Sequence, residues 1–379
     1  MTDNERKLLA KKLAEMDSND RRRLMKRASL VKKTLRPVSR QRHVELDDDG
    51  DFAAPVRVRK SNSMDEALWL LVQEEPGTAV RSGPTAKVLS IGPRSCLVKL
   101  EGETYTCRVS PDLASKQKSE LAVGDEVYLE TKGVDRVVMG VAARRTKLSR
   151  PDAGNGSMER VIVANVDCVV IVVSVVAPPL HPRLVDRYLI AIQKGGARPA
   201  IAVNKIDLHE SEEALRQDLR LLDPYRKMGV PVVECSAGQG LGKERLLEVL
   251  QGKQSAFVGH SGVGKSSLLN MLRPDLGLQV GDVSEGYGRG THTTTRSTLW
   301  ELPNDTRVID TPGIRSFGLW KMDKEELPWY FPDFLEAGRC RFSDCRHLQE
   351  PGCAVKAAVD NGTLAAERYD TYLRILATL

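Results

Sequence analysis

"GHSGVGKSS", Gly259 to Ser267, follows the apolar run "SAFV" and opens onto "LLNML", which reads as a strand, a glycine-rich turn and a helix. That context makes it a phosphate-binding loop. Glycine lets backbone N–H groups close around phosphate oxygens, and the helix N-terminus favours negative charge there. Gly259, His260, Ser261, Gly262, Val263, Gly264, Lys265, Ser266 and Ser267 are therefore expected to hold the phosphates of a nucleotide. Lys265 is expected to reach the outer phosphates as a catalytic charge, and the Ser266 hydroxyl to ligate Mg²⁺.

The base is read by a second motif in an unexpected place. "NKID", Asn204 to Asp207, ends the strand "AIAV" and lies upstream of the phosphate loop, whereas in an ordinary guanine-nucleotide-binding domain it follows. A carboxylate at Asp207 can accept from N1–H and the 2-amino group of guanine, and adenine offers neither. A site built on such bonds discriminates by about 10⁴-fold or more. "CSA", with Ser236 and Ala237 after the next strand, can give backbone N–H to guanine O6. "DTPG" then follows "TRVI", so Asp310 is expected to hold a Mg²⁺-bound water and the Gly313 N–H to sense the γ-phosphate. Between the two lies a Gly/Thr-rich stretch in the switch I position, where Thr293, Thr294 or Thr295 completes the Mg²⁺ shell. The order is base reader, SA element, phosphate loop, switch I, DxxG. A circular permutation reproduces it without remainder, and permutation is tolerated where domain termini lie close together.

Catalysis of phosphoryl transfer rests on positioning and electrostatics, commonly with a glutamine orienting the attacking water. Ile314 stands in that position and cannot do so, which leaves His292 in the switch region as the nearest candidate by sequence. The alternative is that His292 only packs the loop. Cys340-x4-Cys345-x-His347-x5-Cys353 offers three thiols and an imidazole, enough to close a tetrahedral structural Zn²⁺ site. Arg339, Arg341, Arg346 and Phe342 interleave with it, either as an RNA-facing surface or as solvated charge.

The rest of the chain sets the frame. It has 379 residues, 41% hydrophobic and 28% charged, which suits a globular protein of two to three domains. Residues 1–79 are polar and charged, with Arg21, Arg22, Arg23, Lys26 and Arg27 in one cluster, and read as an extension. That cluster is a solvated tail, a basic arm for RNA phosphates or a membrane-surface helix. Short alternating runs over 80–149 fit a five-stranded barrel of the OB type, and another small barrel fits almost as well. Alternating strand and helix patterns over 150–320 fit an α/β domain with a sheet covered on both faces. Residues 321–379 are expected to form the zinc-binding domain, helical from about Ala354 to the end. "VIVANVDCVVIVVSVV", Val161 to Val176, is interrupted by Asn165 and Asp167 and reads as buried strand rather than a membrane span. Seven cysteines with no export signal point to a reducing compartment.

Taken in order, "NKID", "GHSGVGKSSLLN", "GTHTTT", "DTPGIRSFGLW" and "RCRFSDCRHLQEPGC" resemble the bacterial ribosome-small-subunit-dependent GTPases of the RsgA (YjeQ) type, from about residue 80 to the end. The resemblance implies an OB barrel, a permuted GTPase domain and a zinc domain, acting in late maturation of the small ribosomal subunit. It implies guanine contact by Asn204, Lys205 and Asp207, and zinc ligation by Cys340, Cys345, His347 and Cys353. The expected partners are the small subunit with its rRNA, and GTP/GDP, for a cytoplasmic monomer that touches no membrane. Thr291 departs from the Lys, Arg or Gln often found before that histidine, and the extension over 1–79 is not inherited from the family.

Overall fold

The structure of the chain, a computed structural model, describes residues 85–93, 95–110, 113, 121–132, 135–152, 159–278, 297–311, 319–320 and 322–379. Five strands begin it: β1 (Thr85–Ile91), β2 (Ser95–Leu100), β3 (Glu103–Val109), β4 (Glu126–Lys132) and β5 (Asp135–Val141). Pairing runs β1-β2-β3-β5-β4 and returns from β4 to β1, which closes a barrel and leaves no free edge. Alternation gives it a core: Ala86, Val88, Cys96, Val98, Cys107, Val127 and Val138 all turn inward. Glu101 and Gly102, both at positive φ, make the two-residue turn between β2 and β3, the hand that strand twist favours. This is the N-terminal barrel expected from the sequence.

A two-stranded ribbon follows, β6 (Lys147–Pro151) with β7 (Glu159–Ala164). Arg150 and Pro151 are the last residues of β6. The valine-rich run after it is two strands rather than the single one expected. β7 ends at Ala164, and β8 (Cys168–Ser174) begins a new sheet. Asn165 makes the break: its φ is +55°, a conformation asparagine tolerates, and its amide is fully engaged. Oδ1 accepts from the Arg145 N–H at 2.8 Å, and Nδ2 donates to Gly124 O at 3.1 Å.

Six more strands are β8, β9 (Arg198–Asn204), β10 (Val232–Glu234), β11 (Gln254–Val258), β12 (Thr298–Leu302) and β13 (Thr306–Asp310), joined to the barrel where β12 pairs with β1. Their order is β10-β9-β8-β11-β13-β12, parallel except for β12. Every residue of β8 is buried, because both faces are covered. Val169, Ile171 and Val173 pack with Val185, Tyr188 and Ile192 of α1 (Pro182–Lys194). Val170 and Val172 pack on the other face with Leu246 and Leu250 of α4 (Lys243–Leu250), and with Leu268 and Leu269 of α5 (Lys265–Leu272). Between α1 and α4 lie α2 (Glu212–Arg220) and α3 (Asp223–Lys227). The circular permutation is visible here: the strand that feeds the phosphate loop, β11, is central in the sheet but comes fourth along the chain of this domain.

At the C-terminal end, α6 (Pro332–Glu336), α7 (Ala354–Asp360) and α8 (Ala366–Thr378) form a third core around Phe331, Phe334, Tyr372 and Ile375, with Ile190 of α1 packed into it. The helical stretch expected from Ala354 onward is interrupted between α7 and α8, where Gly362 takes φ +77°. A buried ionic cluster welds this end to the nucleotide-domain helix. Arg368 of α8 donates to Asp333 at 2.6 and 2.7 Å and to Asp186 of α1, which also accepts from the Tyr225 hydroxyl at 2.8 Å. Arg368 and Asp186 are 4% and 1% exposed, so removing one charge strands the other in low dielectric. Replacing Arg368 with Ala is expected to cost about 3–5 kcal/mol in urea unfolding followed by tryptophan fluorescence. Lys99→Ala, which removes the half-exposed Lys99–Glu301 pair between barrel and sheet, is expected to cost about 1 kcal/mol or less.

Candidate functional site

Strand ends build the site. Asn204, Ser174, Val258 and Asp310 are the last residues of β9, β8, β11 and β13, at the carboxyl end of a parallel sheet where ligands bind. After Val258 the chain turns through Gly259 at φ +147°, where an added Cβ would lie 2.2 Å from the Val172 carbonyl of β8. Only glycine lets β11 hand over to the loop so close to its neighbour. Gly264, at φ +90°, precedes α5, and a Cβ there would lie 2.2 Å from Nδ2 of Asn204. The phosphate loop and the base-reading motif, distant in sequence, are thus in contact.

Asn204 makes that contact a fixed joint. It is 1% exposed; its Nδ2 donates to Val263 O at 2.9 Å, and its Oδ1 accepts from the Ala237 N–H at 3.0 Å. Three loops are tied by one amide. The sequence reading assigned Asn204 and the SA backbone to guanine. In the structure, Asn204 and the Ala237 N–H serve each other, and the Ser236 N–H donates to Leu241 O. Asp207 is exposed in the middle of a short 3₁₀ turn, Ile206–Leu208. Lys205 lies in the left-handed region at φ +64°, and its Nζ donates to Ala177 O at 2.6 Å. Burial lowers its pKa, against the pull of Asp207.

On the phosphate side, Lys265 curls over the loop and donates to the carbonyls of Gly259 and His260, both at 2.7 Å. Burial pulls its pKa down to about 8, opposed by the charge of Asp310. Asp310 is 2% exposed, and burial raises its pKa against the pull of Lys265. Its Oδ2 is buried without a hydrogen-bond partner. Burying a bare carboxylate oxygen is costly, so this atom fits a divalent cation or a water bound to one. Thr311, next along, donates its hydroxyl to Phe257 O and holds the end of β13 to β11. His292, Thr293, Thr294, Thr295, Gly313 and Ile314 lie outside the described residues, as does the extension over 1–79.

The cysteine cluster is assembled in full. Nδ1 of His347 lies 3.6, 3.6 and 3.4 Å from the sulfurs of Cys340, Cys345 and Cys353, and Cys340 Sγ is 3.9 Å from Cys353 Sγ. Tetrahedral coordination with standard Zn–S and Zn–N bonds places S···N at about 3.6 Å and S···S at about 3.8 Å. The four residues can therefore hold a metal ion with every position filled by protein. His347 adopts φ +59°, and its ring meets Phe334 and Tyr372 edge-on at 5.5 and 6.0 Å between centroids. The hydroxyls of Tyr369 and Tyr372 donate to the carbonyls of His347 and Arg346, so α8 clamps the knuckle that presents the imidazole. These tyrosines were not legible as site residues; their only signal is aromatic spacing on the last helix.

Comparison with known proteins agrees with this geometry. A family model described as RsgA GTPase matches residues 141–320. The small ribosomal subunit biogenesis GTPase RsgA of Pseudomonas putida is 42% identical over 281 residues, covering 73% of this chain and 79% of that protein. The protein of the same name from Haemophilus influenzae is 41% identical over 286 residues, covering 74% of this chain and 80% of its own. Among solved structures, YjeQ from Thermotoga maritima superposes with a TM-score of 0.61 at 33% identity, over 78% of this chain and 97% of that one. YloQ, described as a circularly permuted GTPase, gives 0.58 at 30% identity, over 78% and 95%.

The joint at Asn204 is open to a direct test. Asn204→Ala leaves the Val263 carbonyl and the Ala237 N–H without their partner, each orphan costing about 1–3 kcal/mol. Fluorescent GDP titration is expected to show affinity reduced by about a hundredfold.

Proposed function

The chain belongs to the RsgA GTPase family, and on that premise we propose that it hydrolyses GTP on the small ribosomal subunit during the subunit's late maturation, with nucleotide state governing attachment and release. The observation that carries the reading is the Asn204 joint, which assembles a guanine reader, an SA loop and a phosphate loop in permuted chain order. In this reading Asp207 accepts from guanine, and Lys205 flanks the base. Residues Gly259 to Ser267 hold the phosphates, with Lys265 neutralising the charge that develops on them. Ser266 and Asp310, with one of Thr293, Thr294 or Thr295, would hold Mg²⁺, which would supply charge neutralisation at the phosphates. His292 positions the attacking water once a partner orders the switch, since Ile314 cannot. Gly313 senses the γ-phosphate.

The Cys340, Cys345, His347 and Cys353 set holds one structural Zn²⁺, because thiolate-rich tetrahedral sites with no open position suit that ion. No helix among the described residues is long and apolar enough to cross a membrane. We place the chain in the cytoplasm as a monomer that meets rRNA on the subunit surface.

Steady-state GTP hydrolysis is expected to rise by about tenfold or more with purified small subunits and to stay at its basal rate with large ones, a barrier change of about 1.4 kcal/mol. An equal response to both, or to neither, would remove the ribosomal assignment and leave the nucleotide site standing. Elemental analysis of the purified chain is expected to find one zinc per molecule. Cys353→Ser should lose it and lower the melting temperature, while a metal-free wild type with an unchanged melt would refute the zinc site.

A further inference from the structure

Between β8 and α1 runs a turn, Val175 to His181, that none of the nucleotide motifs includes. Two contacts bring it to the site. The carbonyl of Ala177 accepts the Lys205 ammonium at 2.6 Å. Pro178 lies beside the phosphate loop, with its Cδ 3.9 Å from where a Cβ on Gly262 would stand. The turn therefore touches the base-reading lysine on one side and the apex of the phosphate loop on the other.

Ser174 anchors the start of this turn. It is the last residue of β8, 1% exposed, and stands opposite Asn204 in the register of β8 with β9. Its hydroxyl oxygen accepts from the N–H groups of Val176 and Ala177 at 3.4 and 3.3 Å, closing the strand end into a tight local turn. Valine fills most of β8, and a hydroxyl at its buried end has no packing reason to be there. The lysine in turn needs a fixed seat. Its backbone holds the left-handed conformation that side chains other than Gly, Asn and Asp enter at a cost, and its ammonium is partly withdrawn from water.

We propose that Ser174 is a positioning residue of the guanine pocket: it sets the Ala177 carbonyl as the seat of the Lys205 ammonium, and the turn through Pro178 forms a wall of the nucleotide site. The proposal rests on the nucleotide reading above. Lys205 can lay its aliphatic stem along a base only if its head is anchored, and among the described contacts that anchor is the Ala177 carbonyl. Ser174 thus acts on affinity through Lys205, with no part in the hydrolytic step.

A double-mutant cycle on the full chain tests this with fluorescent GDP as the probe. Ser174→Ala is expected to weaken binding by about fivefold to tenfold, the loss of roughly one net hydrogen bond, and to raise KM for GTP with kcat unchanged. In a Lys205→Met background the same substitution is expected to change affinity by less than twofold, because the group that uses the seat is gone. Ser174→Cys has nearly the same volume but a feebler acceptor. It is expected to fall between wild type and Ala, and it carries the test if the alanine variant does not fold. Wild-type affinity in both Ser174 variants, an equal loss with and without Lys205, or a fall in kcat at unchanged KM would each overturn the proposal. If the wild-type chain itself binds no guanine nucleotide, the nucleotide reading fails instead, and the cycle has that result as its first measurement.

Discussion

The buried amide of Asn204 is the constraint on which the site depends. A side chain with one acceptor and one donor face links the carbonyl of Val263 to the N–H of Ala237. Each of those loops hangs from a different strand of one sheet, and each would otherwise choose its own path. The close approach has a steric condition on the far side: position 264 can carry no Cβ, or it would collide with the same amide. This explains why circular permutation is harmless to the chemistry. The joint depends on which strands are neighbours in the sheet, and the order β9-β8-β11-β13 is indifferent to where the chain is cut.

The cut does change what the site is attached to. β12 continues the sheet into the barrel through the pairing of Thr298 with Ser90, and Lys99 reaches Glu301 across that junction. An ion pair of this kind adds little stability, so the barrel's hold on the sheet lies in its backbone pairing, in Leu89 and Ile91 packed against the sheet's core, and in the polar contacts of Gly124 with Asn165 and of Lys87 with Gln254. The other end is held differently. Ile190 of α1 is shared with the C-terminal core, and Arg368 is buried between Asp186 and Asp333. Since α1 begins just after the turn that seats Lys205, the end of the chain that carries the Cys/His cluster is packed onto the helix nearest the base-reading loop. The permutation also places Asp310 and Thr311 shortly before that end in sequence. Both routes out of the nucleotide site lead toward the C-terminal core.

Much of this was legible in the sequence because its signals are local. Glycine spacing before "KSS", strict alternation in the barrel strands and the thiol spacing around His347 each report a geometry that neighbouring residues enforce. Failures occurred where one residue answers to distant partners. Nothing near Asn165 says that its amide will be spent on Arg145 and Gly124, so the valine run looked continuous. Nothing near Asn204 says that its amide will also tie two distant loops together. Ser174 was overlooked for the same reason: a serine ending an apolar strand gains meaning only from the register that sets it beside Asn204. Residues whose partners lie far along the chain are read by topology, and topology is what a linear pattern carries least.

Lys265 and Asp310 show how the same fold prepares the site for charge. Burial drives the lysine down, to about 8, and the aspartate up, and each opposes the shift in the other. Their mutual attraction offsets desolvation only in part. Because the folded value for Lys265 lies below its unfolded one, folding disfavours its proton. Stability contributed by this group therefore rises as pH climbs from about 8 toward the unfolded value of 10.5, and its cost is fully present below 8. Asp310 has the opposite range: its raised pKa makes the ionised form costly above that value, and the cost is relieved on acidification. Burial thus leaves the charged form of each group under-compensated. Phosphate oxygens beside Lys265 and a divalent cation beside the unpartnered Oδ2 of Asp310 would supply the missing charge to each. Compensation of this kind favours the two ligands together over either alone, since each new charge also attracts the other.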